Sequence, residues 1–309
     1  MASVDDYRVY TIKRFGKVRT IYEPNPELKA KQQQVVTYLS QRGIGATKYA
    51  HGFVKGRGIK SAILPHLRKA CIVHMDIKDF FPTIRDVWVV DALHQESVPQ
   101  EVINQIIEIA CLDRHLPIGS PCSPFLSNMV FKILDWKLAK LCQNWPKQHA
   151  HDYTRIFYTR YADNLMFSSN CHTINRMIPG IKRLLASHGY TTNDAKTRVM
   201  RRTGCQRLLG IIVNEKPNVP RAYWRKLRAQ IHNMKCRVHN GEVVDYEEFM
   251  NAMGKASFVL SINYVRGKLF MQELKDIRKW GELRQLGQLG LFHPANEPQA
   301  DEPSASESN

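Results

Sequence analysis

Tyr158-Thr-Arg-Tyr-Ala-Asp163-Asn-Leu-Met-Phe-Ser168 reads as a hairpin with an acid in its turn. Two β-rich runs, 156–161 and 165–168, flank Ala162-Asp163-Asn164, and turn residues between such runs favour antiparallel strands. A second apolar run, Cys71-Ile-Val-His-Met-Asp-Ile77, reads as a buried strand and also ends in an acid, Asp76. Carboxylates at neighbouring strand ends escape the core and can face one another. Such a pair can hold Mg²⁺, which prefers oxygen ligands and keeps waters and substrate phosphates in its shell. Two such ions clamp the attacking and leaving oxygens of phosphoryl transfer. Taken alone, Asp163 equally fits a turn cap.

Outward from these strands, alternation over 7–22 predicts another hairpin, turning near Phe15-Gly16-Lys17 and stopped by Pro24 and Pro26. Helical spacing predicts helices over 27–41, 86–93, 99–111, 125–143 and 174–188, then 220–238, 246–261 and 265–279. A further strand is expected over 207–213. His51-Gly-Phe-Val-Lys-Gly-Arg-Gly-Ile59 is a glycine-rich basic loop, suited to phosphates or simply to a surface turn. Strands and helices do not alternate as βαβ units. The pattern therefore predicts an α+β domain to about residue 215 and a helical domain of roughly 80 residues beyond it.

The 309 residues carry 45 Lys and Arg against 28 Asp and Glu, a net charge of +17; residues 294–309 hold four acids and no base, so the rest carries +21. That field suits a polyanion. Eleven of the basic residues fall in 196–235, beside one acid, Glu215. On the helix predicted from 220, Trp224, Leu227, Ile231 and Met234 follow core spacing. Arg221, Arg225 and Arg228 recur on another side, where they can grip phosphates while Tyr223 stacks on a base. A solvated basic face has the same pattern. No apolar run is long enough to span a bilayer, and the N-terminus lacks a secretory core, so a cytoplasmic protein without membrane contact is expected. The seven scattered cysteines form no CxxC pair and read as free thiols. The acidic tail reads as disordered.

Three segments then come in order: His74-Met-Asp76-Ile-Lys-Asp-Phe-Phe-Pro-Thr-Ile84, Leu116-Pro-Ile-Gly-Ser-Pro-Cys-Ser-Pro-Phe-Leu-Ser-Asn128 and the Tyr158 to Ser168 stretch. They resemble the palm motifs of reverse transcriptases, and fit the bacterial retron group best. The resemblance continues through Gly189-Tyr190, Lys196-Thr-Arg198 and Leu208-Leu-Gly210-Ile-Ile-Val-Asn214. Upstream, Arg19-Thr-Ile-Tyr-Glu-Pro24 and the glycine-rich loop look like the group's fingers segments. It runs from about Tyr7 to Lys279. Five ordered motifs are specific where a lone Tyr-Ala-Asp is not.

The resemblance implies a right-hand polymerase fold. Residues 1–70, with part of 85–115, would be fingers; 71–215 a palm of antiparallel sheet and helices; 216–285 a helical, RNA-binding thumb; and 286–309 an acidic tail. It implies Asp76 and Asp163 as catalytic residues that, with the Ile77 carbonyl and Asn164, hold two Mg²⁺ or Mn²⁺ ions. Phe81 falls under the incoming sugar, where a ring excludes a 2′-hydroxyl. Ile118 and Gly119 fall beside the nascent base pair. Lys196 falls near the triphosphate, to neutralise or protonate the departing pyrophosphate. From the residues alone, Phe80 and Phe81 also fit a core and Lys196 a solvated surface. Lys55, Arg57, Lys13 and Arg19 are unranked candidates for triphosphate or template contact.

Two positions depart from the family pattern. Asn164 replaces the second acid of Tyr-Ala-Asp-Asp, which removes a negative charge. Ile118 replaces the Gln of Pro-Gln-Gly, which removes an amide near the nucleotide. The implied function is synthesis of msDNA, a branched RNA–DNA, from dNTPs on a cognate non-coding RNA. Anti-phage defence and a separately encoded effector protein are implied with it. The alternatives are an inactive polymerase-like RNA-binding scaffold and a group II intron-like or abortive-infection reverse transcriptase.

Overall fold

Asn25 separates a strand from a helix: its side chain accepts a hydrogen bond from Leu28 N, and Pro26 occupies the first helical turn. In the computed structural model, which describes residues 3–14, 17–149 and 155–288, the chain divides into two compact units, one to Pro217 and one from Asn218. The first unit opens with the expected hairpin, β1 (Tyr7–Arg14) against β2 (Lys17–Pro24). Then come α1 (Pro26–Gln41), α2 (Ile59–Ile63), β3 (Cys71–Asp76), α3 (Phe80–Thr83), α4 (Asp86–Gln95) and α5 (Gln100–Ala110). α6 (Ser123–Val130), α7 (Lys132–His149), β4 (Phe157–Tyr161), β5 (Asn164–Ser169), α8 (Ile178–Ala186), β6 (Arg198–Arg201), β7 (Arg207–Leu208) and β8 (Ile211–Ile212) complete it. The architecture is α+β, and its central sheet is antiparallel in the order β4-β5-β3-β6.

Strand alternation assigns the two faces of this sheet. Val73, Met75, Leu165, Phe167 and Tyr158 join the main core with Val89, Ile103, Leu126, Leu134 and Ile181 of the helices. On the opposite face, the segment after α2 covers the far end. There the fully buried His66 bridges Ser168 Oγ at 2.6 Å and Thr159 Oγ1 at 2.7 Å. The near end of that face, with His74 and Asp76, opens toward the candidate active site.

Several expectations needed correction. The helix expected over 125–143 is two helices that meet at Phe131. The strand expected over 207–213 is a tiny hairpin, because Leu209 and Gly210 both take left-handed backbone (φ 48° and 86°), the geometry of a two-residue turn. The edge strand β6 had no sequence signal, since its side chains are largely exposed and no alternation marks it. Phe15, Gly16 and the tail from 289 lie outside the described residues.

Burial, and then the charges of His51, Lys69 and His74, push the His66 imidazolium down to a pKa of about 3. The unfolded chain takes up that proton near the ordinary value, so acid favours unfolding and the loss begins below about pH 6.5. At pH 5 His66 alone should remove about 2 kcal/mol of stability. Urea midpoints at pH 7 and pH 5 check this: the drop should shrink by that amount in His66→Gln, and an equal drop in both proteins would contradict it.

The second unit holds three mutually packed helices, α9 (Arg221–His239), α10 (Tyr246–Ile262) and α11 (Tyr264–Gln288). Leu227, Ile231 and Met234 of α9 are buried with Ala256, Val259 and Leu274. Asp245 caps α10 by accepting from Glu248 N. α11 runs past the expected end at 279. No described helix is long and apolar enough to cross a membrane.

Candidate active site

Asp76 is the last residue of β3 and pairs in register with Asn164, the first of β5. Asp163 is in the turn before it, beside Ala162, whose backbone is left-handed (φ 53°). Two hydrogen bonds tie this turn and the 191–193 segment to the end of β3. Ile77 N donates to Asp163 O at 2.8 Å, and Asn193 N donates to Asp76 O at 2.8 Å. A third element, the 49–53 loop, supports the turn from behind. Arg160 N donates to Tyr49 O, and His51 N to Arg160 O, both at 2.8 Å. Gly52 lies so close that a Cβ there would be 2.6 Å from Ala162 N, which explains the glycine.

Both carboxylates line one cleft of about 650 Å³, together with Ile77, Phe81, Ile118 and Lys196. Val18, Arg19, Thr20 and Tyr22 of β2 form another wall. Among the eight described non-glycine residues with left-handed backbone, four border this cleft: Phe53, Asp79, Asp113 and Ala162. Such strain concentrates at functional sites.

Lys196 Nζ donates to both Asp76 oxygens, at 2.6 and 2.7 Å. Burial, and next the Asp76 charge, hold the Asp163 carboxyl above the usual carboxylate range. Two hard oxygen donors, one already facing an ammonium and the other short of positive charge, fit a divalent cation. Among the described residues no cluster of three or more His, Cys, Asp or Glu forms, so substrate phosphates and waters would have to complete such an ion's shell.

Phe80 and Phe81 both border the cleft, but Phe80 is buried in the core, packed on Phe131 and Tyr190, whereas Phe81 is only partly buried. Ile118 lines the cleft too, and its carbonyl accepts from Tyr22 N at 2.7 Å. Gly119, at φ 117°, has no room for a side chain: a Cβ would lie 2.5 Å from Tyr22 O. Asn164 is not part of the lining. Its Oδ1 faces His74 Nε2 at 2.9 Å and its Nδ2 donates to Asp163 Oδ1 at 2.8 Å, so the amide oxygen is turned away from the carboxylate pair. Of the unranked bases, Arg19 is in the cleft wall. Arg57 instead turns inward, donating to Thr47 O and Ala50 O. In the second unit Arg221, Arg225 and Arg228 are exposed, while the half-buried Tyr223 packs edge-on against Phe258.

Sequence reasoning assigned no role to Phe53, Asn128, Asp135 or Arg160. Phe53 is half exposed in the cleft, its ring 6.0 Å from that of Phe81. Arg160 is fully buried and donates twice to Asp135, from Nε and Nη2 at 2.9 Å. Its Nη1 donates to Asn128 Oδ1 at 3.0 Å, and Asn128 Nδ2 donates to Gly52 O at 2.9 Å. An acid in the apolar stripe Leu134, Leu138, Cys142 of α7 was the available signal for Asp135.

Comparison with known proteins shows which family the chain resembles. Retron Mx162 reverse transcriptase of Myxococcus xanthus is 30% identical, with 88% of this chain and 61% of that protein covered. Retron Ec86 reverse transcriptase of Escherichia coli is 27% identical over 83% of this chain and 77% of its own length. This chain thus spans about three-fifths of the Myxococcus relative. Apo telomerase from Candida tropicalis superposes with a TM-score of 0.52 at 10% identity, covering 92% of this chain and 58% of that one, a likeness of fold. Residues 12–213, which include both carboxylates and every wall of the cleft, match the family model for reverse transcriptase (RNA-dependent DNA polymerase), and to that family this chain belongs.

Proposed function

We propose that the chain is a retron-type reverse transcriptase. It copies a cognate structured non-coding RNA into DNA from the 2′-hydroxyl of an internal guanosine, giving branched msDNA. The observation that carries this reading is the convergence of Asp76 and Asp163 on a cleft walled by Phe81, Ile118 and Lys196. Family membership implies a divalent metal. Asp76 and Asp163 would hold Mg²⁺, or Mn²⁺, and the bound ions would activate the attacking hydroxyl and neutralise the phosphates. Phe81 excludes a ribose 2′-hydroxyl by bulk. Lys196, released from Asp76, neutralises the leaving pyrophosphate. Fingers correspond to 1–70 with part of 85–115, palm to 71–215 and thumb to 216–285. The reading also includes a cytoplasmic setting, anti-phage defence and a separate effector protein.

Asn164 and Ile118 favour one alternative, an inactive RNA-binding scaffold. Sequencing the nucleic acid that copurifies with the protein, and primer extension on that RNA with Mg²⁺ and dNTPs, separates the two. DNA covalently joined to RNA supports the enzyme. Bound RNA that yields no cDNA under any divalent metal overturns it.

The exposed arginines of α9 make a further test. Each phosphate they neutralise contributes about 0.7–0.9 to the slope of log affinity against log salt. Reversing Arg221, Arg225 and Arg228 together to Glu should weaken RNA binding and flatten that slope by about 2 to 3. Filter binding from low to moderate salt measures it, and an unchanged slope removes the thumb assignment.

A further inference from the structure

Asn164 stands where the resemblance places a second acid, and both ends of its amide are engaged. Nδ2 donates to Asp163 Oδ1 at 2.8 Å and, at a longer 3.4 Å, to Tyr161 O. Oδ1 lies 2.9 Å from His74 Nε2. An amide oxygen can only accept, so the His74 ring carries its proton on Nε2. Strand geometry builds this contact. His74 and Asp76 are alternate residues of β3 and share a face, and Asn164 is opposite Asp76 in register. The imidazole and the amide therefore meet on the diagonal of one antiparallel pair. Arg198 is opposite His74 on β6, but its Nη1 donates to the Ala195 and Thr197 carbonyls.

An ionised acid at 164 could not donate to Asp163 and would add a third negative charge to a corner that already holds two. Asn164 supplies a donor instead, and a donor needs its amide held the right way round. We infer that His74 is a positioning residue: through Nε2–H it locks Asn164 so that the amide nitrogen fixes the Asp163 carboxylate, and Asn164 serves as a brace, not as a cation ligand. The inference rests on the reading of Asp76 and Asp163 as ligands. Groups that orient ligating carboxylates typically matter by about 10–100-fold in metal affinity or activity.

The test uses the full chain and Mn²⁺, titrated by electron paramagnetic resonance with a fixed concentration of a non-hydrolysable dNTP and without RNA. His74→Leu removes the donor and keeps the bulk; His74→Gln restores an N–H donor. His74→Leu should weaken Mn²⁺ binding by about 10-fold or more, and His74→Gln should recover most of the loss. Asn164→Ala breaks the same relay one link on. It should lose as much, and the double variant should lose no more than either single one. If His74→Leu does not fold, His74→Gln and Asn164→Ala carry the comparison. Wild-type affinity in His74→Leu, failure of His74→Gln to recover, or additive losses overturn the relay. Primer extension separates its failure from failure of the enzyme reading: if wild type binds Mn²⁺ and extends primers while the variants match it, only the relay falls. If wild type extends primers but binds no Mn²⁺ at the site, only the relay falls; if it neither binds Mn²⁺ nor extends primers, both fall.

Discussion

Asp163→Asn is expected to slow nucleotide addition by about three to four orders of magnitude while leaving the melting temperature unchanged or raised. The rate follows from charge. A bound cation supplies several kcal/mol of transition-state stabilisation, and about 1.4 kcal/mol corresponds to a factor of ten. The stability follows from the same carboxylate. Burial, and then Asp76, raise the Asp163 pKa, so its ionised form is a burden on the fold. The unfolded chain loses this proton at lower pH than the folded one, so the burden appears as pH rises past the ordinary carboxylate range. An Asn of the same shape removes it and can still accept from Asn164 Nδ2. The stability advantage of the variant should therefore disappear in acid, where wild-type Asp163 is protonated as well. Single-nucleotide extension at pH 7 and thermal melts stepped from pH 7 into acid read both effects. Wild-type extension by Asp163→Asn would remove Asp163 from the catalytic pair. Asp76→Asn should be as inactive but not stabilised, because it weakens the two-fold contact with Lys196.

Both carboxylates were legible in the sequence because the grammar of strand ends is local. An acid that closes an apolar run and an acid inside a hairpin turn each stand out within about ten residues. The same locality explains what could not be read. Phe80 and Phe81 are identical in type and both border the cleft, and only the direction of the short helix α3 buries one against Phe131 and leaves the other partly open. Arg19 and Arg57 are equally basic, yet one reaches the cleft wall while the other is held by two carbonyls of its own loop. The His74–Asn164 contact depends on strand register, and the buried pair of Asp135 and Arg160 joins residues 25 positions apart. Leu209 could not announce a turn, since a leucine in left-handed backbone is set by its neighbours, not by its own preference.

Removing one member of that buried pair should have the largest effect on stability. Asp135 and Arg160 are both fully enclosed, and the Asp135 carboxylate also accepts from Tyr158 OH and Thr47 Oγ1, each at 2.7 Å. Burial opposes the Arg160 charge, yet Asp135 outweighs it and the guanidinium pKa is raised. Asp135→Leu leaves that cation buried without its partner and is expected to cost about 3–5 kcal/mol. The double variant Asp135→Leu, Arg160→Met removes both charges and should recover much of the loss, since well-packed apolar replacements of buried pairs are often neutral. Activity should not recover with it. Arg160 Nη1 holds Asn128, which holds the Gly52 carbonyl, and this link seats the 49–53 loop behind the Asp163 turn. Urea denaturation and primer extension on the single and double variants separate the two contributions. If the double variant regains stability and activity together, Arg160 is only a counter-charge for Asp135. If it regains stability alone, the buried arginine helps to hold Asp163 where the chemistry needs it.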